Sequence, residues 1–219
     1  MEFKELLQIV GDEPLFETGL LLAGDVDPNN VRRQLVRWVA AGKMYQLRRG
    51  LYALAPPYQK TKPHPFLIAN RLVEPSYVSL QSALAHYGLI PEYVAVVTSV
   101  TTDRPTQRET PLGRYQFQHV QPDWFLGFVP KRLEESQEVY LATPEKALLD
   151  LVYLQPGGDE LTYLRALRLQ NLDQLDEARL WDLANELGKP KLRRAAENIV
   201  IIMKEEAENA YETLPDSTG

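Results

Sequence analysis

The first ten residues place apolar side chains at the period of an amphipathic helix, which predicts a helix over residues 2–10. Its apolar positions are Phe3, Leu6, Leu7 and Val10. Pro14 predicts the first turn of a second helix. The first N–H groups of a helix have no partner within the helix, so a proline there, which has no N–H, removes no hydrogen bond. That helix is predicted to reach about Leu22 and to end at Gly24.

A third helix is predicted from Asp27, a favoured N-cap residue, to about Ala41, with Gly42 as its stop. The segments KMYQL, RRG and LYAL that follow predict a strand, a tight turn and a second strand. Three helices followed by a hairpin is the element order of a winged helix-turn-helix. Such a domain is predicted over residues 1–55.

The segment APPYQKTKPHP has four prolines in eleven residues, which predicts a stiff linker over residues 56–65. Beyond it, helices are predicted for PFLIANRLV, SLQSALAHYG and TPEKALLDLVYL, and strands for EYVAVVTSVTT, RYQFQHVQ, WFLGFV and EVYLAT. Helical patterns dominate from there to about Tyr211. The predicted fold class is α+β: the winged helix-turn-helix, a larger α+β domain over residues 66–212 with a helical C-terminal half, and a frayed tail at 213–219.

The third helix has two contrasting faces when it is plotted at 100° per residue. Its apolar stripe consists of Val31, Leu35, Trp38 and Val39. The opposite face carries Asn29, Asn30, Arg33 and Arg37, with Arg32 on its flank. Amide and guanidinium groups hydrogen-bond to base edges, and a recognition helix makes such contacts near its N-terminus. This face is therefore predicted to enter the major groove of double-stranded DNA.

Charge is distributed unevenly along the chain, whose net charge is −6. The stretch from Asn29 to Leu54 has six basic residues, and no acidic residue occurs between Asp27 and Glu74. Phosphate would repel an acid on a DNA-binding surface, which accounts for this gap. The predicted DNA-contacting residues are Asn29, Asn30, Arg32, Arg33, Arg37, Lys43, Arg48 and Arg49, the last two at the hairpin turn. A solvated basic face, or a domain that contacts protein, is the alternative.

The remaining chain has no recognisable catalytic motif. It has no cysteine, no phosphate-binding glycine loop and no nucleophile elbow, and its three histidines lack metal-ligand spacing. Ser79, Ser82 and His86 fit capping and packing better than catalysis. The charged residues of TPEKALLD are predicted to form the polar first turn and outer face of a helix. We therefore expect no catalytic residue, no metal and no cofactor, and a protein that is not an enzyme.

No apolar run approaches the roughly 20 residues that span a bilayer. The N-terminus also lacks the basic segment and apolar run of a secretory signal. The sequence therefore predicts a cytoplasmic protein with no membrane partner.

Three blocks of the second domain resemble recurring segments of AbiEi-type antitoxins, the antitoxin half of bacterial type IV toxin–antitoxin systems. They are YVSLQSALAHYGLIPE, RETPLGRYQFQHV and TPEKALLDLVYL. The N-terminal segment RQLVRWVAAGKMYQLRRGLYAL is similar to the winged-helix segment of that family. The resemblance extends over roughly residues 1–200.

The resemblance implies two functions. The first domain would bind repeats upstream of its own operon and repress transcription. The second would counter a toxin that resembles a nucleotidyltransferase, without necessarily forming a stable complex with it. Two other classes stay open: a one-component regulator whose second domain senses a small molecule, and an enzyme that a winged helix directs to its target.

Overall fold

A computed structural model describes residues 1–23, 26–134 and 137–212. The predicted helix stop at Gly24 and the predicted tail at 213–219 lie outside these residues. The protein is a mixed α+β fold with two sheets, which we treat as a first unit up to Leu54 and a second unit from Pro65.

The first unit comprises α1 (Phe3–Val10), β1 (Phe16–Glu17), a 3₁₀ helix (Thr18–Leu22), α2 (Pro28–Ala40), β2 (Met44–Arg48) and β3 (Leu51–Leu54). Its strands form an antiparallel sheet in the order β1-β3-β2. The helices pack on this sheet around a small core. That core contains Leu6, Val10, Phe16, Leu21, Val31, Leu35, Met44, Tyr52 and Leu54.

The predicted α2 and hairpin are confirmed, whereas the predicted second helix is wrong. Within the predicted range, Phe16 and Glu17 form β1, where Phe16 pairs with Tyr52 of β3, and a 3₁₀ helix follows at Thr18–Leu22. The two rings stack at a centroid distance of 5.7 Å. Because pairing with β3 buries Phe16, tertiary packing overrides the local helical pattern.

The second unit comprises α3 (Pro65–Leu72), β4 (Ser76–Val78), α4 (Leu80–His86), β5 (Val96–Thr101), β6 (Thr106–Thr110), β7 (Gly113–His119), β8 (Phe128–Arg132), β9 (Glu138–Ala142), α5 (Pro144–Leu154), α6 (Leu161–Ala166), α7 (Glu177–Glu186) and α8 (Pro190–Glu212). Short 3₁₀ helices lie at Pro122–Trp124 and Leu172–Gln174. The six strands form a mixed sheet in the order β6-β7-β5-β4-β9-β8. The C-terminal half is helical, as predicted.

Two strands of this sheet were not predicted. β4 has only three residues and lies between β5 and β9, so neighbouring strands rather than its own length stabilise it. β6 is polar and exposed and pairs only with β7 at the sheet edge. An edge strand needs no apolar alternation, which is why the sequence pattern did not indicate it.

The hairpin of the first unit also belongs to the core of the second. Leu47, Leu51 and Ala53 are buried among the side chains of the second unit. The proline-rich segment is attached as well, because Gln137 accepts a hydrogen bond from the His64 N–H at 2.8 Å and donates one to the Lys62 carbonyl at 2.9 Å. The two units are therefore joined by shared packing as well as by a linker.

Among the described residues, no helix combines the length and apolar character that crossing a bilayer requires.

Candidate nucleic-acid interface

The α2 helix is fixed at its start by a side-chain cap and along one side by packing. The Asp27 carboxylate accepts the Asn29 N–H at 2.9 Å, and Pro28 occupies the first turn. Val31 and Leu35 are buried, and Trp38 is half-buried with its ring 5.3 Å from that of Phe3. These contacts fix which side of α2 faces solvent.

The solvent side carries the residues predicted from the helical wheel. We call Asn29, Asn30, Arg32, Arg33 and Arg37 the α2 polar face, and all five are exposed. Among the described residues, one side-chain hydrogen bond involves them, from the Gln34 amide to the Asn30 carbonyl oxygen at 3.5 Å. Within the described chain no carboxylate lies within 4.0 Å of Arg32, Arg33 or Arg37. No described carboxylate neutralises these charges, which can therefore attract an anion.

Lys43, just after α2, has a partly structural position. Its ammonium lies 4.5 Å from the centroid of the Phe3 ring, and the residue is half-buried. A cation over a ring face is attracted by the ring quadrupole. Lys43 thus stabilises the contact between α1 and the end of α2, while its charge remains beside the polar face.

The two arginines of the hairpin turn differ in their surroundings. Arg48 donates to the Arg71 carbonyl at 2.8 Å and to the Glu17 carboxylate at 3.2 Å. Glu17 also accepts from Arg71 at 3.2 Å, so one carboxylate connects both units. Arg49 is exposed and has no side-chain partner within the described ranges. Arg48 therefore fixes the hairpin to the second unit, and Arg49 is the arginine of the turn that a ligand can reach.

Sequence reasoning missed one feature of the α2 surface. Val36 lies among the arginines of the polar face and exposes 67% of its surface. The helical wheel places it on the solvent side, but a valine there gave no chemical signal of its own. Its exposure becomes apparent only in the structure, where the described residues leave most of this side chain uncovered.

The second unit contains a buried polar network on α5 that the sequence did not predict. Glu145, Lys146 and Asp150 are all buried, so the predicted polar outer face is wrong. The Asp150 carboxylate accepts from Ser79 at 2.7 Å, Trp124 at 2.8 Å and Tyr77 at 3.0 Å, and it pairs with Lys146. The physical reason for the error is that α5 is covered on its charged side by β4, α4 and the Trp124 segment.

The ion pair at the centre of this network is closed to solvent. Lys146 and Asp150 have no exposed side-chain surface, and the Lys146 ammonium also donates to the Tyr77 hydroxyl at 2.9 Å. Burial lowers the pKa of Lys146, which its partner Asp150 opposes. Burial, together with the adjacent Asp150 charge, raises the pKa of Tyr77 well above its usual range. The Ser79 hydroxyl donates its hydrogen bond to Asp150 and not to His86, so Ser79 and His86 do not form a hydrogen-bonded pair.

A cleft of about 780 Å³ lies on the second unit between the start of α3, α4, the loop at 90–95 and the β6–β7 turn. Its walls include His64, Phe66, His86, Tyr93 and Arg114. Burial lowers the pKa of His64, and the neighbouring His86 lowers it further. Burial also lowers the pKa of His86, with Lys131 contributing. Burial thus disfavours the charged form of both imidazoles, and Arg114 contributes a cationic group to the wall.

In the described parts of the chain, no three His, Cys, Asp or Glu side chains form a group that could hold a metal ion. Comparison with known proteins gives no family: no protein-family model matches the chain, and no curated protein matches it.

Proposed function

We propose that residues 1–55 form a winged helix-turn-helix that binds double-stranded DNA through the α2 polar face. The observation that carries this proposal is the exposure of Asn29, Asn30, Arg32, Arg33 and Arg37 on one side of a helix, with no carboxylate near the arginines among the described residues. Such a surface attracts phosphate and presents the groups that hydrogen-bond to base edges.

The topology of the first unit supports the same proposal. The elements follow the order α1, β1, 3₁₀ helix, α2, β2 and β3, with the sheet order β1-β3-β2. We assign the role of recognition helix to α2 and the role of wing to the β2–β3 hairpin, because this element order is compatible with both. Because Arg48 is held by Glu17 and Arg71, we assign the phosphate contact of the turn to Arg49.

The test is a titration with fluorescent duplexes from the region upstream of the gene, at several salt concentrations. The wild-type protein should prefer one duplex over scrambled DNA, with an affinity that falls steeply as salt rises. The Arg33→Ala/Arg37→Ala variant should lose the preference and reduce the magnitude of the salt slope by about 2, since each phosphate contact contributes about 0.9. Equal, weak binding of every duplex by both proteins would contradict the proposal.

A matched control comes from α8, where Arg193 and Lys204 are also exposed cations on a helix. The Arg193→Ala/Lys204→Ala variant removes the same charge from the second unit. It should keep the duplex preference and most of the affinity. If this variant lost as much affinity and preference as the α2 variant, net charge rather than the α2 polar face would govern binding.

We also propose that the chain is an autorepressor and antitoxin that counters a nucleotidyltransferase-like toxin. The support is the resemblance of its sequence blocks to AbiEi-type antitoxins. Two of these blocks, residues 77–92 and 143–154, contact each other through Tyr77, Ser79 and Asp150.

Expressed from an unrelated promoter, the chain should restore growth to cells that express a toxin encoded beside it. The Arg33→Ala/Arg37→Ala variant should restore growth equally, because only repression requires DNA. Failure of the wild-type chain to do so would refute the antitoxin function.

A second candidate, a regulator that senses a small molecule, is favoured by the cleft beside Tyr93 and Arg114. Its volume of about 780 Å³ is in the range of small-molecule sites. In that case a metabolite should raise the Tm of the protein and change its affinity for DNA. The Arg114→Gln variant should respond less to an anionic metabolite. A toxin gene beside this one would favour the antitoxin instead.

A further inference from the structure

Among the valine, leucine and isoleucine side chains of the described residues, that of Val36 has the largest exposed fraction, at 67%. The next exposed valines, Val26 and Val129, expose 38% and 36%. Val36 lies one helical turn after Arg32 and Arg33 and directly before Arg37. An apolar side chain thus occupies the middle of a cationic surface.

Neither helix stability nor core packing explains this valine. A β-branched residue loses side-chain freedom in a helix, so valine is a weaker helix former than alanine, lysine or glutamine. The buried side of α2 is formed by Val31 and Leu35, which lie more than a quarter of a turn around the helix from Val36. The position therefore suits an apolar contact with something outside the chain.

The surrounding charges indicate what that partner is. Arginines on both sides of Val36 would bring this face of α2 against phosphates and base edges. The apolar group that a major groove presents there is the C5-methyl of thymine. We propose that Val36 contacts this methyl group and thereby selects a thymine in the bound sequence. This inference rests on the proposed binding of DNA by α2.

The expected size of the contact follows from burial of one methyl group. That burial contributes about 0.8 kcal/mol, which corresponds to about fourfold in affinity. Replacing thymine with deoxyuracil removes only the methyl group and keeps base pairing. Deoxyuracil at the contacted position should therefore weaken wild-type binding about fourfold.

The experiment begins with duplexes selected from random-sequence DNA by the full-length wild-type protein. In the tightest duplex, each thymine is replaced in turn with deoxyuracil, and Kd is measured for the wild type, Val36→Ala and Val129→Ala. We expect one thymine, or two in a symmetric site, at which the wild type and Val129→Ala lose about fourfold. Val36→Ala should bind the thymine and deoxyuracil forms equally.

Each outcome distinguishes the inference from the proposed function. If no sequence is enriched, DNA binding by α2 fails and the inference fails with it. If a sequence is enriched but deoxyuracil has no effect, or the same effect on Val36→Ala, the role of Val36 is wrong while DNA binding stands. If Val36→Ala changes the sedimentation of the free protein and not its thymine preference, Val36 contacts a second copy of the chain instead.

Discussion

Lys146 and Asp150, one helical turn apart on α5, form an ion pair in which neither side chain has exposed surface. Removing two charges from water costs several kcal/mol for each ion, so such a pair needs further hydrogen bonds. Asp150 obtains them from Tyr77, Ser79 and Trp124, and Lys146 obtains one from Tyr77. The network thereby connects β4, the start of α4 and the Trp124 segment to α5.

We expect the loss of Asp150 alone to lower the stability far more than the replacement of both Lys146 and Asp150. Asp150→Ala leaves the Lys146 ammonium buried without a counter-ion, so we expect the free energy of unfolding to fall by roughly 3–5 kcal/mol. Lys146→Met/Asp150→Leu removes both charges and should be less destabilised than Asp150→Ala. Urea unfolding followed by circular dichroism measures both variants. A double variant less stable than Asp150→Ala would show that the pair itself contributes net stability.

Gly127 lies against Lys146 so closely that it cannot accept a side chain without displacement. A Cβ there would be 2.9 Å from Cγ and Cδ of Lys146, and the residue has φ of +75°. Gly127→Ala should lower stability by roughly 2–4 kcal/mol, because backbone strain and overpacking add. Gly42→Ala is the control, since Gly42 has φ of +67° with nothing within 4 Å of its Cβ position. It should lose only about 1–2 kcal/mol, and equal losses would mean that Lys146 moves freely.

The shared hairpin predicts that the two units unfold together. Leu51 is fully buried in the core of the second unit although it belongs to the first sheet. Leu51→Ala should lower stability by about 2–5 kcal/mol and accelerate hydrogen exchange of α2 and α5 amides alike. The effects of Leu51→Ala are compared with those of Leu35→Ala, which alters only the core of the first unit. Faster exchange confined to α2 in Leu51→Ala would show that the units are energetically separate.

His64 makes stability depend on pH. Its Nδ1 accepts the Phe66 N–H at 3.1 Å, which requires a neutral ring, and burial lowers its pKa from the ordinary 6.5. The unfolded chain binds the proton more readily, so this contribution is complete above pH 6.5 and is lost as pH falls below it. His64→Asn keeps an N-cap acceptor without titrating. Its unfolding free energy should fall less between pH 7 and 5 than that of the wild type, and parallel curves would refute this role.

We expect substitution of Arg48 to affect stability and substitution of Arg49 to affect DNA binding. Arg49→Ala should weaken DNA binding and reduce the salt slope by about 1, with little change in stability. Arg48→Ala should leave the slope unchanged and cost at most about 1 kcal/mol of stability, because its ion pair with Glu17 is partly exposed. A larger slope change for Arg48→Ala than for Arg49→Ala would reverse the assignment.

The sequence predicted the elements whose signals are local. Asp27 and Pro28 fixed the start of α2, the positions of Val31 and Leu35 fixed its buried side, and the turn after Arg48 fixed the hairpin. Thr143 likewise caps α5 as predicted, with its hydroxyl accepting the Lys146 N–H. Caps, turns and periodic apolar positions act within a few residues, and so they can be recognised without knowledge of the fold.

Only the tertiary structure decided the rest. Phe16 pairs with Tyr52, and Arg48 contacts Arg71; both partners are distant along the chain. The charges of α5 looked like a solvated helix face until Tyr77, Ser79 and Trp124 were found around Asp150. Whether a charged side chain is buried depends on what covers it, and a helical wheel contains no such information. The sequence by itself therefore determined the exposed α2 polar face, whereas long-range packing determined which arginine of the turn is free and which charges form the core.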